Sequence, residues 1–271
     1  MTAGSAPAVA VVAAAPSARA GVRALGRVEA LRLTRHPLVV GALLVAVVIQ
    51  VNGLSVVNDY ETFNTLTLYA TVVVGPLTFF AANLAASRDR RALAGEWTSV
   101  LPLGSHARIA ALCLGVLGPV LATVAMSAGM QAVYRLAGAE MVRYPDPGEF
   151  LIGPLTVLGG GLLGIMVAVW APWRGAAGLV MIALGVLTLG LGGAGRSEWL
   201  APFLELTLSE DDGYIAFKPG SATWHAAYLL CLSGMAAVGA LLRPPTGRRR
   251  LLLAGAGFTA GAIICGWAQL P

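Results

Sequence analysis

The chain has 271 residues, 57% of them hydrophobic and 11% charged, with a mean hydropathy of +0.77. Soluble domains carry about 25% charged and about 45–50% apolar residues, so a water-soluble globular domain is excluded and an integral membrane protein is expected. The net charge of +5 follows from how loop charges sort across a membrane, as set out below, and does not require a nucleic-acid partner.

Residues 1–21 are Ala-rich, with Pro7 and Pro16. They read as a disordered cytosolic tail. A signal peptide is disfavoured because no positive charge precedes the weak Ala/Val run, whereas Arg19, Arg23 and Arg27 follow it. Residues 22–36 are a helix candidate. Val22, Leu25, Val28 and Leu31 recur every third residue with arginines between them, and Glu29 and Arg32 fall at the edge of the stripe. Two readings stand, an amphipathic interfacial helix on the inner leaflet or a plain basic flank of the first span. Pro37 then allows a turn into the bilayer.

Seven apolar stretches lie near the roughly 20 residues needed to cross about 30 Å of hydrocarbon. They are 37–57, 66–86, 109–134, 150–171, 175–195, 223–242 and 251–270. The third is long enough to tilt or end early. The seventh is interrupted by Gly255, Gly257, Gly261 and Gly266. The fold class is therefore an all-α polytopic membrane protein. It has a six-span core over 37–242 and a seventh C-terminal span.

With the N-terminus in the cytosol, 14 of the 18 basic residues fall on inside segments. The other 4 are Arg135, Arg143, Arg196 and Lys218, while 10 of the 13 acidic residues fall outside. The basic-inside bias favours this orientation. It makes 87–108, with Arg88, Arg90, Arg91 and Arg108, a cytosolic loop. It makes 196–222 the longest outer loop, which either dips an apolar side into the interface or is simply acidic and solvated.

Chemistry-bearing residues are few. Cys113, Cys231 and Cys265 each lie in an apolar run without metal spacing and read as small buried hydrophobes. His36, His106 and His225 are scattered, so no metal site is expected. Cys231-Leu-Ser233-Gly faintly resembles the serine motif of rhomboid-type intramembrane proteases. His225, however, is eight residues back on the same helix, about 12 Å away and beyond hydrogen-bond reach. Ser233 is expected to bond back to its own helix, and no catalytic residue is assigned. Span interiors lack Asp, Glu, Lys and Arg, which leaves proton coupling poorly supported. No phosphate-loop motif is present, so ATP and Mg would have to be bound by a separate subunit and no cofactor by this chain.

A basic amphipathic helix leads into the first span. A basic loop after the second span carries Gly95-Glu96 and Leu101-Pro102 and ends in Arg108, directly before the third. The outer segment before the sixth span ends in Pro219, then Thr223-Trp224-His225. Over roughly 22–242 this layout resembles the permease subunits of type-2 ATP-binding-cassette exporters.

The resemblance implies a cytosolic coupling helix over 91–100 that docks on an ATP-binding-cassette ATPase subunit. Arg88, Arg91, Glu96, Trp97, Leu101 and Pro102 would form the coupling site, and the next helix would begin at Gly104 or Ser105. It also implies a second permease copy or paralogue, contact with membrane lipid, and a place in the bacterial cytoplasmic (inner) membrane. Asn52, Thr71, Thr78, Asn83 and Thr188 would line the pathway, unless they make interhelical hydrogen bonds. Two alternatives are a non-transporting membrane immunity or assembly protein and an ion-coupled efflux carrier.

Overall fold

The computed structural model describes residues 18–54, 66, 68–91, 104–139, 144–192, 200–201, 221–244 and 247–270. Each of the seven apolar stretches is mostly helical where described, and no strand occurs among the described residues. Helix α1 spans Ala18–Thr34 and α2 Pro37–Gly53; a π-wound turn, Ala70–Val74, leads into α3, Gly75–Arg91. Helix α4 is Ser105–Gly115, α5 Leu117–Leu136 and α6 Pro147–Trp170. Helices α7, Ala176–Gly192, α8, Ala222–Leu241, and α9, Arg248–Ala268, complete the described fold.

Five segments are long and apolar enough to cross a membrane, and a sixth is gained if α1 and α2, bent by 53° at their junction, count as one span. Helix α7 is shorter, at 17 residues. This is the make-up of a multi-pass membrane protein. Surface composition agrees with it: Leu121 is 67% exposed, Leu189 81% and Ile263 68%. Burying one such side chain is worth about 1.5–3 kcal/mol. Leaving many of them in water would exceed the roughly 5–15 kcal/mol that stabilises a folded domain. Trp170 and Trp173 are exposed at one end of the bundle, and Trp224 and Trp267 at the other. Tryptophans at both ends are the pattern of side chains lying at the two water–lipid boundaries.

Several boundaries differ from the sequence expectation for local reasons. Helix α1 begins four residues earlier than 22. Helix α3 runs on through Arg91 rather than stopping at 86, because no proline or glycine interrupts 77–91. The third apolar stretch is broken at Val116 into α4 and α5. Pro119 lacks an N–H and cannot bond the Gly115 carbonyl one turn back, which accounts for the break. Helix α9 is unbroken despite its four glycines. Helix α6 starts at Pro147 under a capping box: Asp146 Oδ1 accepts from Glu149 N at 2.8 Å, and Glu149 Oε2 accepts from Asp146 N at 2.8 Å.

Helix α6 is the most buried of the long helices and α9 the least. The largest interhelical contacts are those of α6 with α3 and with α8, followed by α8 with α9 and α1 with α4. Glycines explain how α6 fits against α3. A Cβ added at Gly164 would sit 2.2 Å from the Phe79 carbonyl oxygen, and one at Gly160 would sit 2.7 Å from that of Gly75. Both obstacles are backbone and cannot swing aside. The Gly160-x-x-x-Gly164 pair therefore packs within the chain, as small-residue stripes do where lipid offers no hydrophobic drive.

Gly164→Ala or Gly160→Ala is expected to lower stability by about 1–3 kcal/mol through overpacking. Gly185→Ala, where nothing lies within 4 Å, should be neutral. Thermal unfolding of the purified protein in detergent checks the contrast.

Candidate functional site

The basic segments around Glu29 and Arg88 gather at one end of the bundle. There the end of α3, the start of α4, the end of α6 and the end of α8 meet around Leu33, Ala82, Val116, Ile165, Val169 and Ala240. Trp170 Nε1 donates to the Gly239 carbonyl at 2.8 Å and ties the ends of α6 and α8 together.

Glu29 lies at the centre of this end, on α1. It is 3% exposed, and its Oε1 pairs with Arg88 of α3 and, at 3.4 Å, with Arg32 one turn along α1. The Arg88 and Arg32 side chains are 42% and 62% exposed, against 4% for that of Glu29. The carboxylate is buried while the guanidiniums keep part of their hydration, a distribution that limits the desolvation cost of the pair. The close approach is made by small residues on the facing helices. A Cβ at Gly115 would sit 2.9 Å from the Glu29 Cβ, and one at Gly118 would sit 2.5 Å from the Ala30 carbonyl oxygen. Thr34 Oγ1 bonds back to Ala30 O at 2.8 Å. Glu29 thus clasps α1 to α3, while glycines seat α1 on α4 and α5.

The segment leaving this clasp is 92–103. Arg88 is in the clasp. Arg91 closes α3, and its side chain lies outside the described part. Glu96, Trp97, Leu101 and Pro102 lie outside the described residues. Gly104 is the N-cap of α4, with extended backbone, and Ser105 is its first residue. The start of that helix falls where the sequence reading placed it.

The five polar residues read as pathway-lining sit on several elements. Asn83 Nδ2 donates to the Gly164 carbonyl at 3.1 Å, across the α3–α6 contact. Thr78 is fully buried, and its methyl faces Gly161. Thr71 is buried on the π-turn, Asn52 is exposed near the end of α2, and Thr188 is on α7. A cavity of about 420 Å³ does lie between α6, α7 and α8, lined chiefly by carbon, including Leu155, Leu163, Leu187 and Met235. None of the five lines it. Its hydroxyls are turned back to backbone: Thr156 Oγ1 to Ile152 O at 2.9 Å and Ser233 Oγ to Leu229 O at 2.7 Å. The Ser233 bond is the one expected from sequence.

At the opposite end, Tyr134 Oη donates to the Gln50 carbonyl, and Gln50 Nε2 donates to Leu66 O at 3.4 Å. His225 Nδ1 and Gln269 Oε1 are 3.0 Å apart, joining α8 to the end of α9. Among the described residues no His, Cys, Asp and Glu cluster could hold a metal ion.

No family model, no curated protein and no solved structure matches the chain.

Glu29 was visible in the sequence only as a flaw in an apolar stripe. The informative signal was its isolation, as the single acidic residue of a segment with five arginines. A lone carboxylate in such a field is drawn to bridge cations, and small residues on neighbouring helices let it do so while buried.

Arg88→Ala is expected to cost about 3 kcal/mol, because it leaves a buried carboxylate with one exposed partner. Glu29→Gln should cost only about 1 kcal/mol, since the guanidiniums it releases can rehydrate. Thermal unfolding of the two variants in detergent reads this asymmetry.

His36 joins α1 to α2. It is the N-cap of α2, and its Nδ1 accepts from Leu38 N at 3.3 Å. Burial holds its imidazole below the ordinary value. The folded chain then binds fewer protons than the unfolded one just below pH 6.5, so stability falls as pH drops through that window. The protection factors of the Leu38–Val40 amides, exchange rates corrected for the intrinsic pH dependence, should fall between pH 7 and pH 5. His36→Asn, which keeps a cap acceptor and does not titrate, should remove that dependence.

Proposed function

We propose that this chain is the membrane-spanning subunit of an ATP-driven exporter, working with a separate ATP-binding-cassette ATPase. In this reading the basic end faces the cytosol of a bacterial cell, and the chain pairs with a second copy or a paralogue. The segment 92–103 is the docking element, with Glu96 and Trp97 as its main contacts and Arg88, Arg91, Leu101 and Pro102 setting its frame.

The observation that carries the proposal is the Glu29–Arg88 clasp. The docking segment leaves α3 one turn after Arg88 and returns at Ser105. Both of its anchoring helices are held against α1. A displacement of the segment would therefore be passed to α1, α3 and α4 together, and through the glycine contacts of α3 to α6. A solvated loop with no partner has no need of anchoring on both sides.

The carbon-lined cavity between α6, α7 and α8 suits an apolar or amphiphilic cargo better than a charged one, because no unsatisfied hydroxyl or ionised group is offered by the lining named above. In this reading Asn83 acts at the α3–α6 contact, where a shift between the helices would change its hydrogen bond to the Gly164 carbonyl.

Co-expression with candidate phosphate-loop ATPases, followed by affinity purification, tests the proposal. Wild-type chain is expected to retain an ATPase whose hydrolysis it stimulates. Glu96→Ala and Trp97→Ala should reduce that stimulation by about tenfold or abolish retention, as loss of a central interface contact worth about 2 kcal/mol would. Equal retention and equal stimulated hydrolysis in wild type and both variants would overturn the assignment of the docking residues. Absence of any retained ATPase would overturn the exporter reading.

A further inference from the structure

An open groove of about 540 Å³ lies between the first turns of α1 and the first turns of α4. The two helices touch further along, where a Cβ at Gly26 would stand 3.0 Å from the Leu114 Cβ. Towards the start of α1 they leave a wedge, with Arg19, Val22 and Arg23 on one wall and His106, Ala110 and Leu114 on the other. Arg19 and Arg23 are exposed and four residues apart, so they rise on one face of α1 about 6 Å from each other. That spacing lets two guanidiniums hold one phosphate. Among the described residues, no carboxylate pairs with either of them, and Glu29 is committed to Arg32 and Arg88.

We propose that this groove binds one anionic phospholipid, with its phosphate between Arg19, Arg23 and His106 and an acyl chain along Val22, Ala110 and Leu114. The apolar wall selects the source of the phosphate. Free phosphate would answer the cations but leave the three apolar side chains in water. An amphiphile covers both. Leu117, exposed at the start of α5, lies three residues beyond Leu114 of the apolar wall. The site stands independently of any ATPase partner.

The test uses the full chain in nanodiscs of phosphatidylcholine containing a tenth phosphatidylglycerol, with retained lipid counted by native mass spectrometry after extraction into mild detergent. Wild type is expected to keep about one phosphatidylglycerol and to leave phosphatidylcholine behind. Arg19→Gln with Arg23→Gln should weaken retention about thirtyfold. Leu114→Trp, which keeps every charge and fills the apolar wall, should also weaken it. Arg135→Gln, at the opposite end of the bundle, should not. Inorganic phosphate at 10 mM, roughly the level that would saturate a millimolar anion site, should not displace the lipid.

Four results would each overturn the proposal. They are retention unchanged in the double arginine variant, retention unchanged in Leu114→Trp, equal capture of phosphatidylcholine, and displacement by phosphate. Displacement by phosphate would mark a simple anion site.

Discussion

A single carboxylate organises the basic end of this protein. Glu29 is the only acidic residue on α1, it is buried, and it is shared between an arginine of its own helix and one of α3. An isolated ionised carboxylate in an apolar surrounding is strongly disfavoured, and it persists there only when paired. Once Glu29 is buried, Arg88 must come to it, and Arg88 brings the end of α3. Gly115 and Gly118 then have to be small, because α1 lies directly on them. The break at Val116 follows from Pro119 and sits at the same contact. Charge, small residues and helix break therefore converge on one junction.

The rest of the bundle is held without charges. Helix α6 runs through the middle, and its glycines let the backbone of α3 approach to near contact. Asn83 closes the same contact with a hydrogen bond to the Gly164 carbonyl. Large apolar side chains such as Leu44, Leu121 and Ile264 point outward instead. Small residues at the closest helix seams with many large apolar ones outside differs from a soluble protein. It is the arrangement expected when lipid, and not water, surrounds the helices. The junction at the basic end and the tight α3–α6 seam share one helix, α3, so a movement of its end would be felt along the centre of the bundle. That shared helix is the mechanical basis of the proposed exporter role.

The helical class and the approximate places of the apolar helices among the described residues were legible from hydropathy, whereas the start of α4 at Gly104 or Ser105 was implied by the resemblance and hydropathy alone put that span at 109. Class and helix place depend on composition over a window of residues, and lipid makes that signal strong. The back-bonding of Ser233 was legible too, since a hydroxyl in a helix has few other partners. Glu29 was not, because its role depends on a residue 59 positions away and on glycines of two further helices, Gly115 of α4 and Gly118 of α5. Asn83 read equally well as a pathway residue or an interhelical donor. Only the position of the Gly164 carbonyl shows the bond it makes. The break at Val116 was carried by Pro119 but hidden inside an apolar run long enough to pass for one span. Residues 92–103, where the docking assignment rests, lie outside the described structure, so Glu96, Trp97, Leu101 and Pro102 remain sequence proposals.

A double-mutant cycle on Glu29 and Arg88, read by thermal unfolding of the purified chain in detergent, tests the central claim most directly. If the two side chains form the clasp, Glu29→Gln with Arg88→Gln should be more stable than the sum of the single losses predicts, by about 1–3 kcal/mol. Losses that simply add would show that the pair does not hold α1 to α3, and the account of the basic end would fall with it.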